Sequence, residues 1–183
     1  MSGDLRSGFE RVVTERLELR AVSLDDLYGL FAITSDPDAY RHSPCDRHTT
    51  VDTTRAWIER AAARWRTDGL SYWIVRRRTD ATDEPVIGVG GVQRHAAGGW
   101  NLYYRFTPSA WGQGYATELS RAAIAAGRAV DPQEPVVAWI LDHNHASRRV
   151  AERLGFTNYG ERIDANDGVL RLMYADRPPR DPR

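Results

Sequence analysis

Trp111-Gly112-Gln113-Gly114-Tyr115-Ala116-Thr117-Glu118 is the stretch that decides how the rest of the chain is read. It follows Trp100 to Phe106, an aromatic run with the composition of a strand, and it opens Gly114 to Arg128, an Ala-rich segment with the composition of a helix. Two glycines allow the main chain to approach a bound group closely, and Ala116 keeps the next contact small. The first-turn amides of such a helix have no intrahelical acceptor, so together with the positive helix end they suit phosphate or pyrophosphate. A tight strand-to-helix turn with no ligand would read the same way, so the surrounding sequence has to separate the two.

Upstream, Thr14 to Val22 alternates Leu17, Leu19 and Ala21 with Glu18 and Arg20, the period of a half-buried strand. Ser23 and Asp26 have the spacing of a capping box that opens a helix on Leu24, Leu27, Leu30 and Phe31. Asp52 to Trp65 places Trp57, Ile58, Ala61, Ala62 and Trp65 on one face of a second helix, which Asp68-Gly69 ends. Ser71 to Arg77, Pro85 to Arg94 and Trp100 to Phe106 then read as an antiparallel meander. Downstream of the glycine turn and its helix come a strand at Val136 to Leu141, a helix at Asn144 to Leu154, and a hairpin of Tyr159 to Ile163 with Val169 to Tyr174. This order predicts one α/β domain over 14–175, with a mixed, mostly antiparallel central sheet of about seven strands and helices on both faces. Residues 1–13 are polar and contain Gly, and 176–183 alternate Pro with charge, so both ends are expected to be flexible tails.

The 183 residues are enough for one full core and short of two independent domains. With 25 basic residues against 25 acidic ones and no long like-charge block, nucleic acid is not expected as a partner. No apolar run approaches bilayer-spanning length, so no membrane partner is expected either. Cys45 is the only cysteine, which rules out an intrachain disulfide and favours a reducing, cytoplasmic setting. Every basic residue is Arg, and a P-loop, which requires Gly-Lys-Ser/Thr, is thereby excluded. Gly88-Val89-Gly90-Gly91 lacks the third glycine of a dinucleotide fingerprint and leads to another strand, so these glycines are read as strand-edge flexibility.

A second constellation lies further on. Asn144-His145-Ala146-Ser147, followed by Val150, Ala151 and Leu154-Gly155-Phe156, is a helix that starts at a polar cap and stops at glycine. As a cap and a first-turn hydroxyl, Asn144 and Ser147 need no further role. Taken with the glycine turn, however, the two motifs in this order resemble the GNAT superfamily of acyl-CoA N-acyltransferases, and W-G-x-G-Y-A-T-E is similar to its ribosomal-protein N-acetyltransferase-like branch. The element order from about Thr14 to Tyr174 follows the resemblance, while Trp100 to Phe156 carries the specific motifs. Trp111 stands where the broader pattern has Arg or Gln.

The resemblance implies the GNAT fold with a splayed strand pair, acetyl-CoA as the acyl donor and a small-molecule or peptide amine as acceptor, in a monomer or homodimer. It implies pyrophosphate binding by the main chain from Gln113 to Thr117 and pantetheine alongside Tyr104 to Thr107, with an oxyanion held by an amide near Phe106. The implied donor-binding set is therefore Tyr104, Phe106, Thr107, Trp111, Gly112, Gln113, Gly114, Tyr115, Ala116, Thr117, Asn144 and Ser147. Many members carry a Tyr in the second helix that protonates the leaving thiolate, and Ala151 stands there. Ser147 resembles the serine given this task in the ribosomal-protein branch and is the catalytic candidate, directly or through a water. Asn101 and Tyr159 replace carboxylates frequent in that branch, and Glu161 could substitute only if the final hairpin is regular. The base is left unassigned. An acyl-CoA-binding sensor that has lost turnover is the alternative reading.

Other residue patterns point to bland roles. His143-x-His145 without neighbouring Cys or paired carboxylates reads as a solvated helix start, and no metal is expected. Cys45 is read as an ordinary loop or core thiol, because direct attack on a thioester needs no covalent enzyme intermediate. Half or more of Trp57, Trp65, Tyr72, Trp73, Trp100, Tyr103 and Tyr104 should be core, the others lining an acceptor groove. Arg76-Arg77-Arg78 reads as solvated surface.

Overall fold

In the computed structural model, which describes residues 7–79 and 84–179, one open sheet of eight strands carries helices on both faces. The strands are β1 (Arg11–Val13), β2 (Leu17–Ala21), β3 (Tyr72–Arg77), β4 (Gly88–Arg94), β5 (Trp100–Phe106), β6 (Val136–Ile140), β7 (Thr157–Ile163) and β8 (Leu170–Ala175). Across the sheet they run β1-β2-β3-β4-β5-β6-β8-β7, and every neighbouring pair is antiparallel except β5 and β6. The helices are α1 (Leu27–Thr34), α2 (Val51–Asp68), α3 (Tyr115–Val130) and α4 (His145–Arg153). None of the described helices is long and apolar enough to cross a membrane.

The period of two along β3 sets the layers. Tyr72 and Ile74 pack with Leu27 and Leu30 of α1 and with Ile58 and Ala61 of α2, while Trp73 and Val75 join the core that holds Leu119 and Ala123 of α3. The helix ends follow their local signals. The Ser23 amide donates to the Asp26 carboxylate at 3.1 Å, Thr50 accepts from the Thr53 amide at 3.2 Å, and Gly69 closes α2 at φ 76°.

Three expectations are corrected. The strand count is eight because Arg11–Val13, assigned from composition to a tail, pairs with β2, and the Trp73 indole pins the preceding segment by donating to the Phe9 carbonyl at 2.7 Å. A three-residue edge strand has no periodicity to reveal it. Asp176, also assigned to a tail, accepts from the Val136 amide at 2.9 Å and from Arg128 at 2.9 Å, while positions 1–6 and 180–183 lie outside the described residues. Gly88 and Gly90 are not at a sheet edge. They sit in the central β4, where a Cβ on Gly88 would lie 2.5 Å from the Phe106 ring and one on Gly90 would lie 2.6 Å from Leu119, so the missing side chains let β5 and α3 close on the sheet. Arg76 is not simply solvated, since it donates to the buried Asp26 at 3.1 Å, a carboxylate that Arg20 also binds.

The feature that creates a site is the parting of β5 from β6. The two strands pair only at Trp100↔Val136 and Asn101↔Val137. Beyond that point β5 stays with β4 to its end, and β6 follows β8. Leu102 to Phe106 and Ala138 to Ile140 therefore flank an open gap.

Candidate active site

The glycine turn lies beside this gap. Trp111 is anchored by its indole, which donates to the Phe106 carbonyl at 3.0 Å. Gly112 and Gly114 have φ of 75° and 80°, left-handed values that side chains disfavour, and Gly114 is the N-cap of α3. A Cβ built on Gly112 would meet nothing within 4 Å and would project into open space in front of the helix end. Behind the turn is a brace. Glu118 accepts from the Thr14 hydroxyl at 2.6 Å, the Arg16 amide at 2.8 Å and the Arg16 Nε at 2.8 Å, while Arg16 Nη1 donates to the Gln113 carbonyl at 2.8 Å. Burial pushes the Glu118 carboxyl up, but these donors outweigh it and hold the group below the usual carboxylate range, so the brace stays charged.

A cavity of about 480 Å³ opens between the turn, β5 and α4. Trp111, Gly112, Gly114, Tyr115, Ala116 and Thr117 form one wall, Tyr104 and Phe106 another, and Asn144 and Ser147 a third. Thr107 and Gln113, though expected with them, are not on its surface. The Thr107 amide is spent on the Ile87 carbonyl at 2.9 Å, and the Gln113 carbonyl is turned back to Arg16. On β5 the direction of each amide can be followed. Trp100 donates across to Pro135 on the β6 side and Thr107 donates to Ile87 on the β4 side, so alternation aims the Leu102, Tyr104 and Phe106 amides into the gap.

At the head of α4 the Asn144 side chain accepts from the Ser147 amide at 3.1 Å, which satisfies a first-turn donor. The Tyr104 hydroxyl points at the Ser147 carbonyl, 3.5 Å away, and burial pushes this phenol up to about 12, so it remains protonated at neutral pH. Ala151 is 2 % exposed and packs into the core.

A second cavity, of about 270 Å³, lies across the gap, and His42, Tyr104, Arg105, Asn144 and Ser147 border both. Its carboxylates are Asp46, Asp164 and Asp167. Ala97 donates to His95 Nδ1 at 3.1 Å, so the proton sits on Nε2 and is donated to Asp164 at 2.9 Å, and Arg171 binds Asp164 at 2.8 Å and Asp167 at 2.6 Å. Asp46 is exposed and its carboxylate has no hydrogen-bond or ion-pair partner among the described residues. Glu161 borders neither cavity. The β7–β8 register breaks between Asn158 and Glu161, so the regular hairpin that would have carried Glu161 inward is absent. Trp73 and Trp100 are core as expected, whereas Tyr103 and Tyr104 reach cavity walls.

Sequence reading did not reveal the segment 39–43, which straps the two cavities together. The Arg105 guanidinium lies 3.7 Å from the centre of the Tyr40 ring and donates to the Ala39 carbonyl, to Ser43 Oγ at 3.4 Å and to the Tyr103 hydroxyl at 3.2 Å. Arg41 sits over the Trp111 ring at 4.6 Å, and His143 Nε2 donates to the His42 carbonyl at 2.9 Å. No local pattern announces contacts between segments this far apart in sequence. Cys45 is an exposed thiol outside both cavities, and no group of His, Cys, Asp and Glu suited to a metal occurs among the described residues.

Residues 16–157 match the family model of the acetyltransferase (GNAT) domain. The chain is 25% identical over 175 residues to YoaA of Bacillus subtilis (strain 168), described as an uncharacterized N-acetyltransferase, covering 94% of this chain and 93% of the relative. Among solved structures, a putative GnaT-family acetyltransferase from Bordetella pertussis superposes with a TM-score of 0.75 at 23% identity, covering 91% of this chain and 99% of that one. RimL, a ribosomal L7/L12 alpha-N-protein acetyltransferase solved in complex with coenzyme A, superposes with a TM-score of 0.71 at 20% identity, covering 93% of this chain and 98% of that one.

Proposed function

This chain belongs to the GNAT acetyltransferase family, and from that premise we propose that it passes an acetyl group directly from acetyl-CoA to a primary amine within a ternary complex. The observation that carries this reading is the meeting of two unlike cavities at Tyr104, Asn144 and Ser147, across a gap that opens where two strands part. The donor fits the first cavity. The turn offers open space at Gly112 beside a helix N-terminus, as a pyrophosphate requires, and the inward amides of β5 have no β6 partner beyond Asn101 and suit the amides of pantetheine.

The chemistry is then mostly positioning, since a thioester is already activated. The free amine in the second cavity attacks the thioester carbonyl carbon. The resulting oxyanion lies against the Phe106 amide, the attacking nitrogen loses a proton to solvent, and collapse re-forms the carbonyl and breaks the C–S bond to release the CoA thiolate. Ser147, on the wall common to both cavities, delivers a proton to that thiolate directly or through a water, and the hydroxyl is restored from solvent. The amine must shed a proton before or during attack, having an unperturbed pKa of about 10.4 for a Lys side chain. Asp46, the carboxylate of the second cavity that makes no hydrogen bond or ion pair among the described residues, is where the arriving ammonium is held.

The test is thiol release from acetyl-CoA with a broad panel of primary amines, beside calorimetry of acetyl-CoA alone. Binding with amine-dependent release is the expected result. Binding without release by any amine would instead identify an acyl-CoA sensor, and no binding at all would overturn the donor assignment.

A further inference from the structure

One face of α4 has no protein partner and forms a wall of the first cavity. Ala146 is followed three and four residues on by Arg149 and Val150, and these by Arg153 at four and three, so the four lie in a single stripe, and all border the cavity. The stripe alternates small or apolar side chains with guanidinium groups. Arg149 and Arg153 are exposed and make no hydrogen bond or ion pair among the described residues. Their neighbour Arg148 is different, being tied to the Asp142 carboxylate at 2.9 Å.

The charge of this cavity is unlike that of the chain. The sequence balances 25 basic with 25 acidic residues, yet among the described residues no Asp or Glu borders the cavity, whereas Arg41, Arg105, Arg149 and Arg153 do. Arg105 is committed to the strap through Ala39, Ser43 and Tyr103, and Arg41 lies on Trp111. A pyrophosphate at the start of α3 is served by backbone amides and a helix end, which leaves the α4 arginines without an assigned anion. Their position along the helix is informative. At 1.5 Å per residue, Arg153 is about 9 Å along the α4 axis from Ser147, on the same cavity as the glycine turn.

We infer that Arg149 and Arg153 form a subsite for a phosphomonoester at the nucleotide end of the donor, separate from its pyrophosphate. This rests on reading the first cavity as the acetyl-CoA site, and in acetyl-CoA the group is the ribose 3′-phosphate. Ala146 and Val150 cover apolar parts of the same ligand. Two guanidiniums one turn apart present several N–H donors to one dianion, a charge-assisted contact that a merely solvated helix face would not provide.

The experiment is calorimetry of the full chain and of an Arg149→Gln/Arg153→Gln variant with acetyl-CoA and with 3′-dephospho-acetyl-CoA. The wild type is expected to prefer acetyl-CoA by about tenfold or more. In the variant, acetyl-CoA affinity should fall to the dephospho level, while dephospho affinity stays within about twofold of wild type. Equal wild-type affinity for the two donors would overturn the subsite. So would a variant that loses affinity for both donors alike, because the arginines would then supply only general attraction. A wild type that binds neither donor would overturn the acetyl-CoA reading itself and the subsite with it.

Discussion

The two cavities share a wall but are made differently. The first cavity is bounded by one strand-to-helix turn, one strand, one face of one helix and residues 39–42, and among the described residues it carries guanidiniums with no carboxylate, whereas the second collects Asp46, Asp164 and Asp167 from between the regular elements and Arg171 from β8. The contrast suits what each is proposed to hold. A phosphate-bearing donor is anionic at every working pH, so fixed dipoles and Arg suffice. An acceptor amine arrives cationic and must leave its proton behind, so its cavity needs acidic groups whose charge is partly compensated, as Arg171 and His95 do for Asp164 and Asp167. Ser147 stands where these two demands meet.

The largest expected effect is at that meeting point. Ser147→Ala should lower the single-turnover rate by about 10²–10⁴-fold with the acetyl-CoA Kd nearly unchanged. A variant with full single-turnover speed would assign thiolate protonation to solvent and leave the two-cavity scheme standing. Next comes Gly114→Val, which breaks only the donor side. At φ 80° a branched side chain costs about 1–2 kcal/mol of backbone strain, and the displaced turn should weaken acetyl-CoA binding by about 10–100-fold, read by calorimetry beside a thermal melt. Unchanged affinity in a folded variant would make the glycine turn purely structural.

Asp46→Asn probes the acceptor side alone. An exposed carboxylate contributes up to about 1 kcal/mol to an ion pair, so the amine KM should rise by up to about fivefold while the acetyl-CoA Kd does not move. A parallel loss of donor affinity would blur the separation of the cavities. The smallest effect concerns the strap. Burial, with Arg41 and His143 nearby, lowers the His42 pKa below the ordinary imidazole value, so the folded state favours the neutral ring. The stability this contributes is present above about pH 6.5, where the unfolded chain is neutral too, and is lost as pH falls from there through the lowered pKa. Thermal melts from pH 7.5 to 5 should therefore show a slightly steeper loss for wild type than for His42→Gln, and identical slopes would remove His42 from the account.

The first cavity was legible because the signals of its walls are local. Trp111 to Glu118 contains both the turn glycines and the helix start, Asn144 and Ser147 lie within one helical turn, and α4 ends at Gly155, whose φ of 77° suits only glycine well. Even here the sequence overreached at Thr107, whose amide is spent on the Ile87 carbonyl. The acceptor side was not legible. Glu161 looked like a substitute carboxylate because strand alternation was assumed, and the break in the β7–β8 register removed that premise. Asp46 gave no signal, being one acid among many in a polar loop.

What the amino-acid sequence alone determined is whatever is carried by neighbours along the chain: the strand and helix periods, the caps, the left-handed glycines, and hence the fold and its glycine turn. Tertiary structure alone decided where β5 leaves β6, how Arg105 and His143 draw residues 39–43 over the gap, and which carboxylates face it. The physical reason is range. Backbone conformation answers to residues a few positions away, whereas the strap joins Ser43 to Arg105 and His42 to His143, and charges that far apart in sequence become neighbours only once the sheet has formed.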